Sequence, residues 1–259
     1  EGEDLNVLVG SIPSKSAEKD KSKEAILTLL KEKYNIEEED FRTAELEVVP
    51  AGKARDYGLD RSMVMGYGHD DRVCAYTSLV ALLDSDTANK TSVVLLTDKE
   101  EVGSIGATGA SSKFFENTVA ELMNVLNDYS ELKLRRCLSN SKMLSSDVSA
   151  GYDPNYPSVN EMKNTAFLGK GLCYNKFLGS RGKGGSNDAN PEYLSEVFNA
   201  MDKENVSFQT CELGRVDQGG GGTIAYISAQ YGMEVVDAGV AVQNMHAPWE
   251  VVSKVDVYE

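Results

Sequence analysis

The chain has 259 residues, 41% of them hydrophobic, and a formal net charge of -15. That is enough apolar material for one substantial core, or a core plus a smaller lobe. The acidic field repels phosphate backbones and anionic bilayers, which argues against nucleic acid or a membrane surface as partner. No apolar run approaches the ~18 residues that span a bilayer, and no signal-peptide pattern opens the chain. Cys74, Cys137, Cys173 and Cys211 follow no CxxC spacing, so reduced thiols in a cytoplasmic protein are expected. The sequence starts at Glu1 without a methionine, and that residue is not expected to be the natural start.

In chain order, residues 5–9 alternate and predict a short strand. Residues 23–34 carry Ile26, Leu27, Leu29 and Leu30 on a helical face. Residues 44–49 alternate again and predict a half-buried strand. The Pro50 to Gly58 stretch marks a boundary, giving a first lobe over 1–57 and a main domain over 58–259. In the main domain the apolar run 73–83 predicts a helix, and the continuous apolar run 92–97 a strand covered on both faces. Residues 112–129 predict an amphipathic helix with Phe115, Val119, Leu122 and Leu126 on one stripe. Strands are expected at 142–145, 171–176, 208–213 and 233–242, and helices at 191–203 and 223–231. This alternation predicts an α/β fold with a mixed sheet between helices.

Acidic residues recur where these strands end. Glu100 and Glu101 follow the run 92–97, Asp147 follows 142–145, and Asp70 precedes the helix from Val73. His246, one of two histidines, follows the strand 233–242. Ligands of open α/β sheets bind at the carboxyl ends of strands. Carboxylates with a neutral imidazole there make an O/N donor set suited to zinc, manganese or cobalt. Of two adjacent glutamates, one can bind metal while the other moves protons. Taken singly, each residue has a simpler role: a surface Glu pair, a helix cap at His69-Asp70-Asp71, a structural histidine.

Together the segments Gly68-His69-Asp70-Asp71-Arg72, Asp98-Lys99-Glu100-Glu101-Val102-Gly103-Ser104, Ser145-Ser146-Asp147, Asp153-Pro154-Asn155-Tyr156-Pro157, 214–224 and Asn244-Met245-His246 resemble, in order, the M18 family of metallo-aminopeptidases. The likeness is to a bacterial, clostridial-type member and runs from Gly52 onward. It implies two divalent metal ions, zinc with cobalt or manganese as alternatives. Asp70 would bridge them, Glu101 and His246 would complete one site, and Asp147 would serve the other. Glu100 would be the general base. Lys170, Asp217, Gly220, Gly221 and Thr223 would lie beside a peptide substrate, although the glycine run 219–222 reads equally as a turn before a helix. The first lobe would be the end of a dimerisation domain, with dimers assembling into a closed particle, a dodecamer.

Two departures bear on these expectations. The family takes a further metal-binding histidine from a preceding segment, and nothing here matches it. His69 neighbours Asp70 but is not expected to substitute. Asp153 stands where animal members carry histidine, so a preference for acidic N-termini does not follow. The alternative to an aminopeptidase is a catalytically incomplete chain that acts as an assembly scaffold.

Overall fold

The computed structural model describes residues 6–86, 89–176, 187–215, 217–218 and 222–258. The chain divides into two compact units, Glu1–Val49 and Pro50–Glu259. In the first, helix α1 (Lys21–Tyr34) is stopped by Asn35 in the left-handed region. A short 3-10 turn, Glu38–Arg42, follows, fastened by a reciprocal cap between Glu37 and Asp40. The strands expected at 5–9 and 44–49 do not form over the described residues. Leu8, Leu46 and Val48 stand exposed, because an alternating segment becomes a strand only when a ladder partner covers its apolar face.

The second unit holds two sheets. One has the order β1-β2-β9-β8-β4, with β1 (Arg55–Tyr57), β2 (Met63–Gly66), β4 (Ser149–Ala150), β8 (Ala241–Gln243) and β9 (Glu250–Ser253). The other has the order β3-β7-β5-β6, with β3 (Lys142–Ser146), β5 (Leu172–Asn175), β6 (Phe208–Cys211) and β7 (Glu234–Gly239). In the second sheet β3 runs parallel to β7, and β5 antiparallel to β7 but parallel to β6. Helices flank this mixed sheet, so the fold is α/β as the sequence pattern implies.

Strand β7 is covered on both faces, and its neighbouring residues serve opposite ones. Val236 packs under α5 (Pro191–Glu204) with Tyr193, Val197 and Tyr174. Val235 packs with Leu134 and Leu138 of α4 (Glu131–Ser139), Ala225 of α6 (Ala225–Ala229), and Phe115, Val119 and Met123 of α3 (Phe114–Val125). Burying each valine contributes about 1.5–3 kcal/mol. The buried stripe of α3 lies one position from the expected one: Met123 faces the core, whereas Leu122 and Leu126 are exposed. Helix α5 starts where its sequence says it should, with Pro191 in the first turn and the Asn190 side chain accepting from Glu192 N at 2.9 Å. The run 92–97 forms no strand, and Val93 and Leu96 are exposed. It finds no ladder partner among the described residues. No helix among them is long and apolar enough to cross a membrane.

The polypeptide passes from one sheet to the other at the junction of β7 and β8, where the expected strand 233–242 splits in two. Gly239 lies at this point, and a Cβ there would stand 1.8 Å from the Asp147 carbonyl oxygen and 3.2 Å from the Cys74 sulfur. Helix α2 (His69–Leu83) packs over this crossing through Val73 and Cys74, against Val148, Val240, Val242 and Val252. Gly239→Ala must push the Asp147 backbone aside. It is expected to lower stability by about 1–3 kcal/mol in thermal or urea melting. Gly222→Ala meets open space and should stay within about 0.5 kcal/mol. Equal stability of the two variants would show that the close approach is not a constraint.

Candidate metal centre

Three strand ends converge on one edge of the second unit. Antiparallel pairing sets Gly66 of β2 opposite Glu250 of β9, and Gln243 of β8 opposite Val251. The chain leaving β2 turns through Gly68, in the left-handed region, into α2. Asp70 and Asp71 have non-helical backbone angles and are joined by a cis peptide bond. The chain leaving β8 makes the connection 244–249, in which Asn244 and His246 are left-handed and Ala247 N–H donates to the Asn244 carbonyl at 2.9 Å. Asp147 follows β3 directly.

Glu100 and Glu101 sit in a loop that closes on itself. Asp98 N–H donates to the Thr108 carbonyl at 3.1 Å, Gly103 N–H to the Glu100 carbonyl at 2.8 Å and Ser104 N–H to the Lys99 carbonyl at 2.8 Å. Lys99, Gly103 and Ser104 are all at positive φ, and Gly109 lies against the Ser104 carbonyl where no Cβ would fit. The loop therefore holds the two glutamates by backbone bonds rather than by a strand.

These elements bring ligand atoms into two groups that share Asp70. Asp70, Glu101 and His246 form one, and Asp70, Asp71 and Asp147 the other, each with its atoms within 4.8 Å of one another. His246 Nε2 lies 2.8 Å from Asp70 Oδ2 and 3.0 Å from Glu101 Oε1. The Asp70 side chain is 10% exposed, while those of Glu101 and His246 are 59% exposed, so the centre opens on that side. Asp70, Glu101, Asp147 and His246, all singled out in the sequence, thus meet. Asp71 joins them although the sequence reading passed over it. The second Asp of His69-Asp70-Asp71 was its only signal.

Burial and mutual repulsion raise the carboxyls of this centre. Asp147 is pushed up to about 9 by burial first and then by Asp71, Asp70 and Glu100. Asp71 reaches about 7, mainly through burial, although the Cys74 thiol bonds to it. Asp70 reaches about 6 through burial and Glu101, with His246 pulling the other way. Glu100 is raised by burial, Glu101 and Asp70. One Asp71 oxygen is buried without a partner.

The remaining described candidates belong to neither ligand group. His69 joins neither group. Burial lowers its pKa, and its Nε2 is buried without a hydrogen bond. Lys170 is exposed in the turn between Gly169 and Gly171, whose N–H groups both donate to the buried Asp256 carboxylate of α7 (Lys254–Tyr258), at 2.7 and 2.8 Å. Asp217 is exposed and left-handed. Thr223 is 5% exposed, and its hydroxyl engages Asp237 beneath the sheet edge. Gly220 and Gly221 lie outside the described residues.

Comparison with known proteins puts this geometry in context. A "Probable M18 family aminopeptidase 1" of Clostridium acetobutylicum is 66% identical over the whole chain, which spans 56% of that relative. One from Thermotoga maritima is 42% identical over the whole chain, which spans 57% of it. The crystal structure of aminopeptidase I from C. acetobutylicum superposes with a TM-score of 0.89 at 65% identity, covering 98% of this chain and 55% of that one. The M18 aminopeptidase of T. maritima superposes with a TM-score of 0.91 at 41% identity, covering 96% and 55%. The S. cerevisiae mApe1 dodecamer shares the fold at 23% identity and a TM-score of 0.67, covering 81% and 46%. The chain thus spans a little over half the length of its near relatives. The family described as "Aminopeptidase I zinc metalloprotease (M18)" matches residues 3–259, and the chain belongs to that family.

Proposed function

We propose that this chain carries the catalytic core of a dinuclear metallo-aminopeptidase that releases the N-terminal residue of peptides. The observation that carries this reading is the convergence of two three-ligand groups on one shared carboxylate, Asp70. The residues fit divalent ions. Their donors are carboxylate oxygen and imidazole nitrogen, which suits zinc best and admits cobalt or manganese. Burial first, and mutual repulsion after it, raises these carboxyls well above their ordinary range, and a bound cation would offset that penalty.

Asp70, Glu101 and His246 would hold one ion, and Asp70, Asp147 and Asp71 the other. Bound divalent ions supply Lewis acidity, which makes water acidic enough to lose a proton near neutral pH. Glu100 belongs to neither ligand group and is left to accept that proton. Its raised affinity for a proton suits it to the task, and to returning the proton to the leaving amine. The loop around Lys99 holds Glu100 by its backbone, so the base keeps its place whether or not it is protonated. We assign Lys170, Asp217, Gly220, Gly221 and Thr223 to the substrate side, where family resemblance supports them. The exposed Leu8, Leu46 and Val48 of the first unit support its being the end of a dimerisation lobe, and the dodecameric yeast relative supports a closed assembly.

In the whole protein, Glu100→Gln is expected to lower peptide turnover by about 10²–10⁴-fold while metal content, measured by mass spectrometry, stays unchanged. Turnover at the normal rate would remove Glu100 from the base role.

Metal removal should expose the carboxylate repulsion. In the folded, metal-free protein Asp147, Asp71 and Asp70 keep their protons to about pH 9, 7 and 6, whereas in the unfolded chain they lose them near ~3.9. The folded state then binds the extra protons, so stability falls as pH rises from about 4 to about 9. Asp237, raised to about 6 by burial, acts in the same sense. His69, whose pKa is lowered, opposes it only below its ordinary value. With chelator present, the melting temperature is expected to decline from about pH 5 to about pH 9. Zinc at ~100 times its Kd should restore about 2.7 kcal/mol, with a larger melting shift at about pH 8 than at about pH 5. A metal-independent, flat profile would sink the metal reading.

A further inference from the structure

Glu250 has no part in either ligand group, yet it is among the most buried side chains of the second unit, at 2% exposure. It opens β9, opposite Gly66 and directly after the connection that carries His246. Its two carboxylate oxygens are used separately. Oε2 accepts from the Asp70 N–H at 2.9 Å, and Oε1 accepts from the His246 N–H at 2.7 Å. One carboxylate thus joins the backbones of two residues that are far apart in sequence and whose side chains meet at 2.8 Å.

We propose that Glu250 is the positioning residue of the Asp70–Glu101–His246 centre, a clamp that fixes the separation and aim of two ligands through their main chains. This rests on the metal reading above. Both clamped residues need such support. Asp70 lies at φ -80 and ψ 109, non-helical angles in the first turn of α2, where an N–H has no acceptor within the helix. His246 sits at φ 66, a left-handed conformation that is strained for a residue with a side chain. An ionised carboxylate makes stronger hydrogen bonds to backbone N–H than a neutral oxygen does. A carboxylate offers each of the two N–H groups its own acceptor oxygen. A Gln amide of the same size can accept one and must turn an N–H₂ donor toward the other.

The test is Co(II) binding to the whole protein after chelation and reloading, read as dissociation constant and visible d–d absorption, alongside the melting temperature of the metal-free form. Glu250→Gln is expected to weaken Co(II) about 10–100-fold and to shift the absorption bands, because the ligand geometry changes. Glu250→Asp keeps both acceptors and should recover part of the affinity; it also serves if the Gln variant does not fold. Val252→Ala, on the same strand and fully within the core, should lower the melting temperature but leave affinity and spectrum as they are. Wild-type affinity and spectrum in Glu250→Gln would overturn the clamp. So would an equal loss of affinity in Val252→Ala, which would reduce Glu250 to general stability. Failure of the unaltered protein to bind Co(II) at all would instead defeat the metal reading on which the clamp depends.

Discussion

The burial of Asp70, Asp71, Glu100 and Asp147 close together is the constraint to which the rest of the second unit answers. Asp70, Asp71, Glu100 and Asp147 would ionise readily in water, and the fold gathers them where water is partly excluded and each repels the others. Such a cluster opposes folding when it stands without a cation. The scaffold around it must therefore supply more stability than the cluster removes. The doubly covered strand β7, with Val235 and Val236 buried under helices on opposite faces, contributes to it through apolar burial. Asp147 stands at the end of the strand that pairs with it. A strand buried on both faces and the carboxyl raised furthest, Asp147, are thus only a strand pairing apart.

The same arrangement explains why glycine and buried acid appear at the joints. Gly239 lets the chain change sheets against the Asp147 carbonyl, a contact no side chain would allow. Glu250 and Asp256, six residues apart near the end of the described chain, each present a buried carboxylate to two backbone N–H groups. One holds the ligand backbones of Asp70 and His246, the other the turn around Lys170. In both cases a loop gains fixed geometry from a side chain rooted in regular structure. Loops alone hold position poorly, and sites built on strands and helices are the more exact.

What the sequence revealed, and what it concealed, follows from the same physics. Segments whose partners lie in the second unit's core were legible: 142–145, 171–176 and 191–203 became β3, β5 and α5 because local pattern and burial agree there. Residues 5–9, 44–49 and 92–97 carry equally good strand patterns but form none over the described residues. A strand is a property of a pair, and pattern alone does not provide the partner. The short strands β1, β2, β4 and β9 escaped notice for the opposite reason: two to four residues carry too little periodicity to register, though pairing stabilises them. The candidate ligands were legible through their chemistry, since acids and a histidine at strand ends are conspicuous. Asp71 and Glu250 were not, because their roles depend on backbone directions at Asp70 and His246 that no spacing rule encodes.

The charge balance of the centre bears on which end of a peptide it would accept. Two divalent ions would bring four positive charges against the five carboxylates named above, with Glu250 beneath them as a sixth. Acids outnumber bases around the centre, and His246 is the one basic side chain in its ligand groups. A peptide carboxylate approaching it would be repelled, whereas an α-ammonium, largely protonated below its usual pKa of ~7.7–8, would be drawn in. A carboxypeptidase on such a scaffold would have to add a fixed cation to seat the terminal carboxylate. An aminopeptidase would need none, because the acids that make the centre costly to fold would also favour an approaching amine.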